Sequence, residues 1–487
     1  MMKHAVCIPF PSKSHIFPML KFAQILHFKY GFHITFLNTH YFHQTLFQST
    51  SQNDTFSSKG NSKITFKFES ILNDSNDLTS GVNSVIDETL APLLKEVLVK
   101  LGSKDNYSKS LSCDDDPPLP PTVSCMVYDV AVSKITLDVA EEMGIPAVGL
   151  DVISACGILG YLQDRQLLDK EIIPLKDSSC LTNGYLETTI DWIPSLKGIR
   201  LKNLPTTFRA TNPNDRCLNY VSSYLKKALE SKAIILNTFD ALEKDVLEDL
   251  SSFSPNIYAV GPFDLLLDKI IKDVDENDHI HRPNTEEDNC DYMQWLDSQE
   301  PNSVLYISFG TVVQLTEEQF DELAWGLANS QAKFFWIVRP DQVSGRSNTL
   351  PLGYEDEVKH RGIFATWCDQ KKVLAHPSIG GFVTQRGWNS VSESISNGVP
   401  MVCYPIFLEQ FTTCFYCCNC LGIGINISEA KKRDDVTKMV REFMEGEMKI
   451  HLIKNAIKWK NLAIEATMSP HGSSCVTLDN LINDVLI

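Results

Sequence analysis

A chain of 487 residues, 43% hydrophobic and 22% charged, has the size of two domains and the balance of a globular protein. A net charge of −17 with no basic tract argues against a nucleic-acid partner. No run reaches the roughly 18 apolar residues of a membrane helix, the opening MMKHAVCIPFPSK lacks the pattern of a cleaved leader, and 14 irregularly spaced cysteines imply reduced thiols. A cytoplasmic protein without integral membrane association is expected.

Residues 5–10 read as an apolar strand, Pro11-Ser12-Lys13-Ser14 as a turn, and 18–30 as a helix through Met19, Leu20, Ala23, Ile25 and Leu26. His15 thus falls where a strand gives way to a helix. In open α/β sheets that edge is where ligands bind. Strands are predicted over 33–37 and 64–68, separated by a polar surface loop at 48–63. A helix over 82–101 follows. Then Asp114-Asp115-Asp116 and four prolines read as a solvated loop and not a metal site. The strand 123–128 ends in Asp129, the helix 135–143 leads to the strand 146–150, and the alternation continues through 233–236, 242–250 and 257–260. Residues 273–291 are acidic and irregular, as an exposed linker would be. A second set begins near Trp295 with the strand 304–308, which ends in Phe309-Gly310-Thr311, then the helix 317–330 and the strand 334–338. The tail from Arg433 reads as two or three surface helices.

The stretch 367–410 organises the chain. Around it three short apolar runs, 362–365, 379–384 and 400–404, alternate with helical segments at 370–375 and 389–397. This rhythm implies a parallel sheet covered by helices. Polar and aromatic residues gather at the strand-to-helix joints. At Gly387-Trp388-Asn389-Ser390 a flexible glycine, two small hydrogen-bonding side chains and the free N–H groups of a helix start form an anion site suited to phosphate.

At fixed spacing, Trp367, Gln370, His376, Gly381, Phe382, Thr384, Gly387, Trp388, Asn389, Ser390, Glu393, Gly398, Val399, Pro400, Pro405 and Gln410 match a signature. The stretch resembles the donor-binding box of plant UDP-glycosyltransferases, with Glu409 where aspartate is commoner. LTNGYLETTIDWIPSLKGIRLKNLP, ILNTFDALEKDVLE and EPNSVLYISFG extend the likeness over essentially the whole chain, toward the branch that glucosylates iridoid, diterpenoid and cyanohydrin acceptors. The resemblance implies an α/β fold of GT-B type, two doubly wound Rossmann-like domains facing across a cleft. Residues 1–260 would bind the acceptor, 261–294 link the domains, 295–465 bind the UDP-sugar, and 466–487 form a helix packing back on the first domain. It further implies UDP-glucose as donor substrate, no cofactor or metal, a small-molecule acceptor, and a monomer.

Sugar transfer to a hydroxyl needs a base for the acceptor proton and a stabiliser for the departing diphosphate. His15, at a helix start that disfavours imidazolium, is the base candidate, and Asp129 would orient its ring. Taken alone, His15 reads as a capping or core histidine and Asp129 as a strand-end cap; the resemblance assigns them to catalysis. It also assigns Trp367 to stacking on uracil, and Gln370 and Glu393 to the ribose hydroxyls. Asn389, Ser390 and Thr311 would face the phosphates, and Trp388, Glu409 and Gln410 the sugar. Cys368, Gln385 and Gly387 complete the donor set, while His376 reads as structural. The thiols Cys414, Cys417, Cys418 and Cys420 lie on one predicted helix, a spacing that spreads ligands around it and does not suit zinc. His33, His40 and His43 show no ligand pattern.

Four departures from the family pattern stand out. Gln385 and Arg386 replace His-Cys, Asp369 replaces proline, Ser14 replaces glycine, and Asp151-Val152 lie where residues are usually apolar, aromatic or hydroxylated. Gln385 can donate to a diphosphate but cannot carry charge. Arg386 would compensate if its guanidinium turned inward to the site; the alternative is a solvated side chain. The reading is an inverting glucosyltransferase acting on a small apolar alcohol, phenol or acid. The alternative is an inactive homologue that binds a nucleotide or small molecule. A nicotinamide dehydrogenase is disfavoured because Pro11-Ser12-Lys13-Ser14-His15 stands where its glycine-rich turn would be.

Overall fold

The structure, a computed structural model, describes residues 3–39, 66–72, 85–102, 122–278, 291–346, 350–430 and 432–486. The predicted loop 48–63, the run Asp114–Asp116, His40, His43 and most of the acidic linker lie outside the described residues.

Seven parallel strands form the first sheet in the order β3-β2-β1-β4-β5-β6-β7. They are β1 (His4–Ile8), β2 (His33–Thr39), β3 (Phe66–Leu72), β4 (Cys125–Asp129), β5 (Ala147–Asp151), β6 (Ile234–Leu236) and β7 (Ile257–Ala259). Six parallel strands form the second in the order β10-β9-β8-β11-β12-β13. These are β8 (Val304–Ser308), β9 (Lys333–Ile337), β10 (Gly362–Ala365), β11 (Ile379–Thr384), β12 (Met401–Cys403) and β13 (Gly424–Asn426). Every named strand but β13 coincides with or overlaps an apolar run read from the sequence. The three residues of β13, Gly-Ile-Asn, form no such run, and only pairing with β12 makes them a strand.

Both faces of each sheet are covered, so successive residues enter different cores. Ala5 and Cys7 of β1 join Leu26, Phe263 and Leu478 on one face, while Val6 and Ile8 join Leu94, Leu98 and Val139 on the other. In β8, Leu305 and Ile307 pack with Phe320 and Leu327. Val304 and Tyr306 belong to a core that also holds Leu159, Leu236 and Phe239 from the first sheet's side. That shared core runs without a break between the two halves. It means removing apolar surface from water, at roughly 25 cal/mol per Å², holds the halves together.

Two segments differ from expectation. The helix Lys13–Tyr30 starts five residues before the predicted one, so Pro18 lies inside it and His15 in its first turn. A proline reads as a helix start because it lacks an N–H; here Ser12, in extended conformation, makes the turn instead. The helix Phe263–Asp278 also occupies the beginning of the expected linker. Its buried Phe263, Leu266, Leu267 and Ile270 pack in the first sheet's core. At the other end, Cys475, Leu478, Leu481, Ile482 and Leu486 of the last helical segments enter that same core. Asp479 accepts hydrogen bonds from Tyr30 and, at 2.9 Å, from Lys29.

Candidate active site

In each sheet the strand order reverses once, and the chemistry gathers at both reversals. In the first sheet, β1 and β4 are neighbours, paired Ile8 to Tyr128, although over a hundred residues separate them. Connections from their carboxyl ends leave in opposite directions and open a crevice between them. His15 follows β1 and Asp129 closes β4, so topology alone brings the two together. In the second sheet β8 and β11 stand side by side, with Ser308 opposite Thr384. Thr311 and Gln385 through Ser390 therefore share one crevice, with Trp367 beyond β10 and Glu409 and Gln410 beyond β12.

His15 Nδ1 lies 2.8 Å from Asp129 Oδ2. The other carboxylate oxygen, Oδ1, accepts the backbone N–H of Ala131 at 2.9 Å and caps the short helix Val130–Val132. Asp129 is thus pinned from both sides and nearly inaccessible, while the His15 side chain keeps 24% of its surface open. An imidazole whose Nδ1 is held by a carboxylate presents Nε2 as its free acceptor. Phe10 packs on the ring, centroids 5.1 Å apart. Burial opposes the imidazolium, but the charge and hydrogen bond of Asp129, helped by Asp151 and Glu409, outweigh it and hold the pKa above its ordinary value. This direction runs against the expectation of a ring kept neutral by the helix start, because the nearby carboxylates favour the charged form. Asp151 itself is buried, and burial with the nearby Asp129 charge pushes it up to about 7.

On the second sheet's side, Trp367 is 61% exposed, an open aromatic face with Lys13 Nζ 5.7 Å from its centroid. Gln370 Nε2 donates to Glu393 Oε2 at 2.7 Å and to Ser390 Oγ at 3.1 Å, and its Oε1 accepts from Tyr306 at 3.2 Å. Burial pushes the Glu393 carboxyl up, and Lys21 pulls it back. Gln410 Oε1 accepts the N–H groups of Ile406 and Phe407 at 2.9 and 3.3 Å, which fixes the turn after β12. Glu409 Oε2 accepts from Tyr161 at 3.2 Å, a contact from the second sheet's turn to the first half. Thr311 is half-buried after Gly310, whose φ of 65° favours glycine. A Cβ there would also collide with Gln385 Nε2.

Two donor-set residues, Trp388 and Cys368, and the neighbouring Arg386 turn inward. The Trp388 ring is 3% exposed and its indole N–H donates to the Asn237 carbonyl at 2.9 Å. The ring is committed to the core, which leaves the backbone N–H of Trp388, at the start of the helix Trp388–Asn397, as its group toward the crevice. Cys368 is likewise turned inward, its Sγ 3.3 Å from the Tyr306 hydroxyl. Arg386 neither faces the site nor reaches solvent. It is fully buried, with a φ of 77° that turns its side chain into the core, where Nη1 lies 2.6 Å from Met401 Sδ. Asp369 does what was expected of a helix-start residue, accepting the Lys372 N–H at 3.1 Å. His376 is structural, bridging Ser378 at 2.7 Å and Asp297 at 3.1 Å.

Sequence reasoning missed the fastenings between the two halves. Asn389 Nδ2 donates to the carbonyl of Ser14 at 2.8 Å. That carbonyl would ordinarily bond the N–H four residues on, but residue 18 is a proline and has none. Pro18 within an apolar helical pattern was the available signal. Lys21, on the same helix, reaches Asp264 at 2.7 Å and Glu393 at 3.5 Å. The cysteines bring a second correction. Cys414 and Cys418 do not stand alone on their helix, because Cys403 at the end of β12 meets them, all three Sγ atoms within 4.8 Å.

Comparison with known proteins identifies the family. Residues 206–460 match the family model described as UDP-glucoronosyl and UDP-glucosyl transferase. The chain is 43% identical over 485 residues to a 7-deoxyloganetin glucosyltransferase of Catharanthus roseus, covering 98% of this chain and 96% of that protein. It is 42% identical over 492 residues to an (R)-mandelonitrile beta-glucosyltransferase of Prunus dulcis, covering 99% and 97%. A UDP-glucosyltransferase from Polygonum tinctorium capable of glucosylating indoxyl superposes with a TM-score of 0.76 at 24% identity, covering 99% and 98% of the chains. A UDP-glucose: anthocyanidin 3-O-glucosyltransferase bound to UDP gives 0.75 at 24%, covering 100% and 99%. Those two likenesses show the fold, the two doubly wound halves of GT-B type. With identity above 40% along nearly its whole length, the chain belongs to the plant UDP-glycosyltransferases, enzymes whose donor substrate is a UDP-sugar.

Proposed function

We propose that this enzyme is an inverting glucosyltransferase that takes UDP-glucose and forms a β-glucoside on a hydroxyl or carboxyl of a small apolar metabolite such as a terpenoid or phenolic. The observation that carries it is the His15–Asp129 pair, held at 2.8 Å at the crevice of the first sheet. That pair faces a helix start of the second sheet through the Asn389–Ser14 bond. His15 Nε2 takes the acceptor proton as the oxygen forms its bond to the anomeric carbon, and the bond from that carbon to the UDP oxygen breaks. A single displacement of an α-linked donor leaves a β-linked product. Asp129 stabilises the imidazolium that forms. The N–H groups of the helix Trp388–Asn397, with Asn389, Ser390, Gln385 and Thr311, receive the charge on the diphosphate without a metal ion. Trp367 offers a face to uracil, and Gln370 and Glu393 oxygens to the ribose. Glu409 and the amide of Gln410 meet the sugar hydroxyls.

Residues 1–260 then serve the acceptor and 295–465 the donor. The acceptor class is supported by the relatives named for 7-deoxyloganetin and mandelonitrile, both small and largely apolar. The binding-only alternative draws on one observation, that Arg386 points into the core and so lends no charge beside Gln385. Incubation with UDP-glucose and an acceptor panel, with mass detection of glucosides, separates the two readings. His15→Ala should abolish product while UDP binding by calorimetry stays nearly unchanged. A folded His15→Ala variant that still turns over at the wild-type rate overturns the assignment, and UDP binding without any product favours the alternative.

A further inference from the structure

Among the described residues, no carboxylate pairs with the buried Arg386. Its Nε and Nη2 have no hydrogen-bond partner and its Nη1 meets only the Met401 sulfur. Guanidinium does not deprotonate in proteins, and a buried cation demands a counter-charge. The titratable groups around it are thiols: Cys403, Cys417, Cys418 and Cys414. Nη2 and the Cys403 sulfur crowd the same spot, since a Cβ on Gly424 would lie 2.8 Å from one and 2.9 Å from the other. Cys403 Sγ and Cys418 Sγ are 3.4 Å apart. Of the three clustered thiols, Cys403 and Cys414 are buried and Cys418 is half-buried, so solvent reaches the cluster through Cys418.

We propose that this cluster is a thiol-modification site, in which Cys418 is a thiolate sharing the Arg386 charge, attacks small-molecule disulfides, and closes an internal disulfide with Cys403. The titratable and charged groups that face Cys418 are Cys403 from β12, Cys414 and Cys417 from its own helical segment, and Arg386 from the turn after β11. Hydrogen bonds from Cys403 and Cys414, then the guanidinium, hold its pKa well below that of an ordinary thiol, whereas burial pushes Cys403 up. The two thiols thus have the unequal character of an attacking and a resolving cysteine. In the first step Cys418 Sγ⁻ bonds to one sulfur of a disulfide RSSR and the other leaves as RS⁻. In the second, Cys403 gives its proton to that RS⁻ and attacks Cys418 Sγ, releasing a second RS⁻ that takes a proton from water. Two protein thiols are oxidised and one small disulfide is reduced to two thiols. The sulfurs need only close from 3.4 Å to the roughly 2.05 Å of a disulfide. A metal ion, by contrast, would have to enter beside a permanent cation.

The test uses the full reduced chain. Brief alkylation with iodoacetamide at about pH 6 should label Cys418 about tenfold faster than the exposed Cys217 and Cys420, which serve as standards on the same molecule. Arg386→Met, which keeps the volume and removes the charge, should erase most of that difference. Glutathione disulfide should yield a Cys403–Cys418 cross-linked peptide that dithiothreitol reverses. Should Arg386→Met not fold, Cys403→Ser replaces it: Cys418 should then hold glutathione as a stable mixed disulfide. Labelling of Cys418 no faster than Cys217, a glutathione adduct on the wild-type chain with Cys403 still free, or stoichiometric zinc that blocks alkylation would each overturn the proposal.

Discussion

His15 sits among more negative charge than its place at a helix start suggests, and that sets the pH dependence of the reaction. A base works when neutral. With its pKa raised by Asp129, Asp151 and Glu409, His15 is protonated at acidic pH, and kcat/KM should climb as pH rises through a value above about 6.5. Asp129→Asn removes the dominant attraction, so burial wins, the rising limb moves to lower pH, and the plateau falls because the imidazolium formed in transfer loses its partner. A pH profile of that variant superposing on wild type would remove Asp129 from the mechanism. At Gln385 the structure sharpens the consequence of a neutral side chain. Its amide lies against Gly310 at the crevice of the second sheet, and Arg386 is unavailable to help. Gln385→His supplies a donor able to carry charge, worth about 1–2 kcal/mol, or about five- to thirty-fold in UDP-glucose affinity or turnover. A lower KM at constant kcat would mean uniform binding, and a higher kcat selective support of the leaving diphosphate.

The two functional helices, Lys13–Tyr30 and Trp388–Asn397, are coupled through a missing hydrogen. Pro18 leaves the Ser14 carbonyl unserved within its own helix, and Asn389 takes it. Pro18→Ala restores an intrahelical donor and adds about 1 kcal/mol to stability. Yet it makes two donors share one acceptor, so transfer should slow about two- to five-fold while Tm rises. Thermal unfolding and steady-state kinetics on the one variant check both signs. Activity unchanged beside a raised Tm would show that the carbonyl serves both donors. This coupling also marks where sequence reading stops. The strands and most helix limits were legible because apolar runs and helical spacing are local properties, and His15 and Asp129 were placed because strand ends follow from strands. Orientation was not legible. Trp388, Cys368 and Arg386 share a box with residues that face the crevice, and their inward turn depends on partners on other elements: Asn237 and Tyr306 outside the box and Met401 on the next strand. The strand β13 and the meeting of Cys403 with Cys418 were hidden for the same reason.

At the scale of the molecule, the apolar core that holds Leu159 and Leu236 with Val304 and Tyr306 makes the two halves one packed body along that seam. Polar ties line the same seam: Ser154 to Thr413 at 3.0 Å, Thr412 to the Asn203 carbonyl at 2.9 Å, and Leu408 N–H to Thr206 at 2.8 Å. Among the described residues no helix is long and apolar enough to cross a membrane. The twelve described cysteines are unpaired thiols.

The end of the chain belongs to its beginning. Leu478, Leu481, Ile482 and Leu486 fill the core formed by β1, β4 and the helix Lys13–Tyr30. Each fully buried apolar side chain is worth about 1.5–3 kcal/mol, so together they rival the whole stability of a typical domain, about 5–15 kcal/mol. During synthesis the first sheet leaves the ribosome long before these residues exist. For most of translation it carries an open apolar groove, and the enzyme completes its first half last. A chain stopped after Met468 should therefore emerge aggregation-prone and bind a dye for exposed apolar surface. A peptide spanning 469–487, added during refolding, should recover soluble protein, and a soluble truncated chain with wild-type Tm would refute this order of assembly.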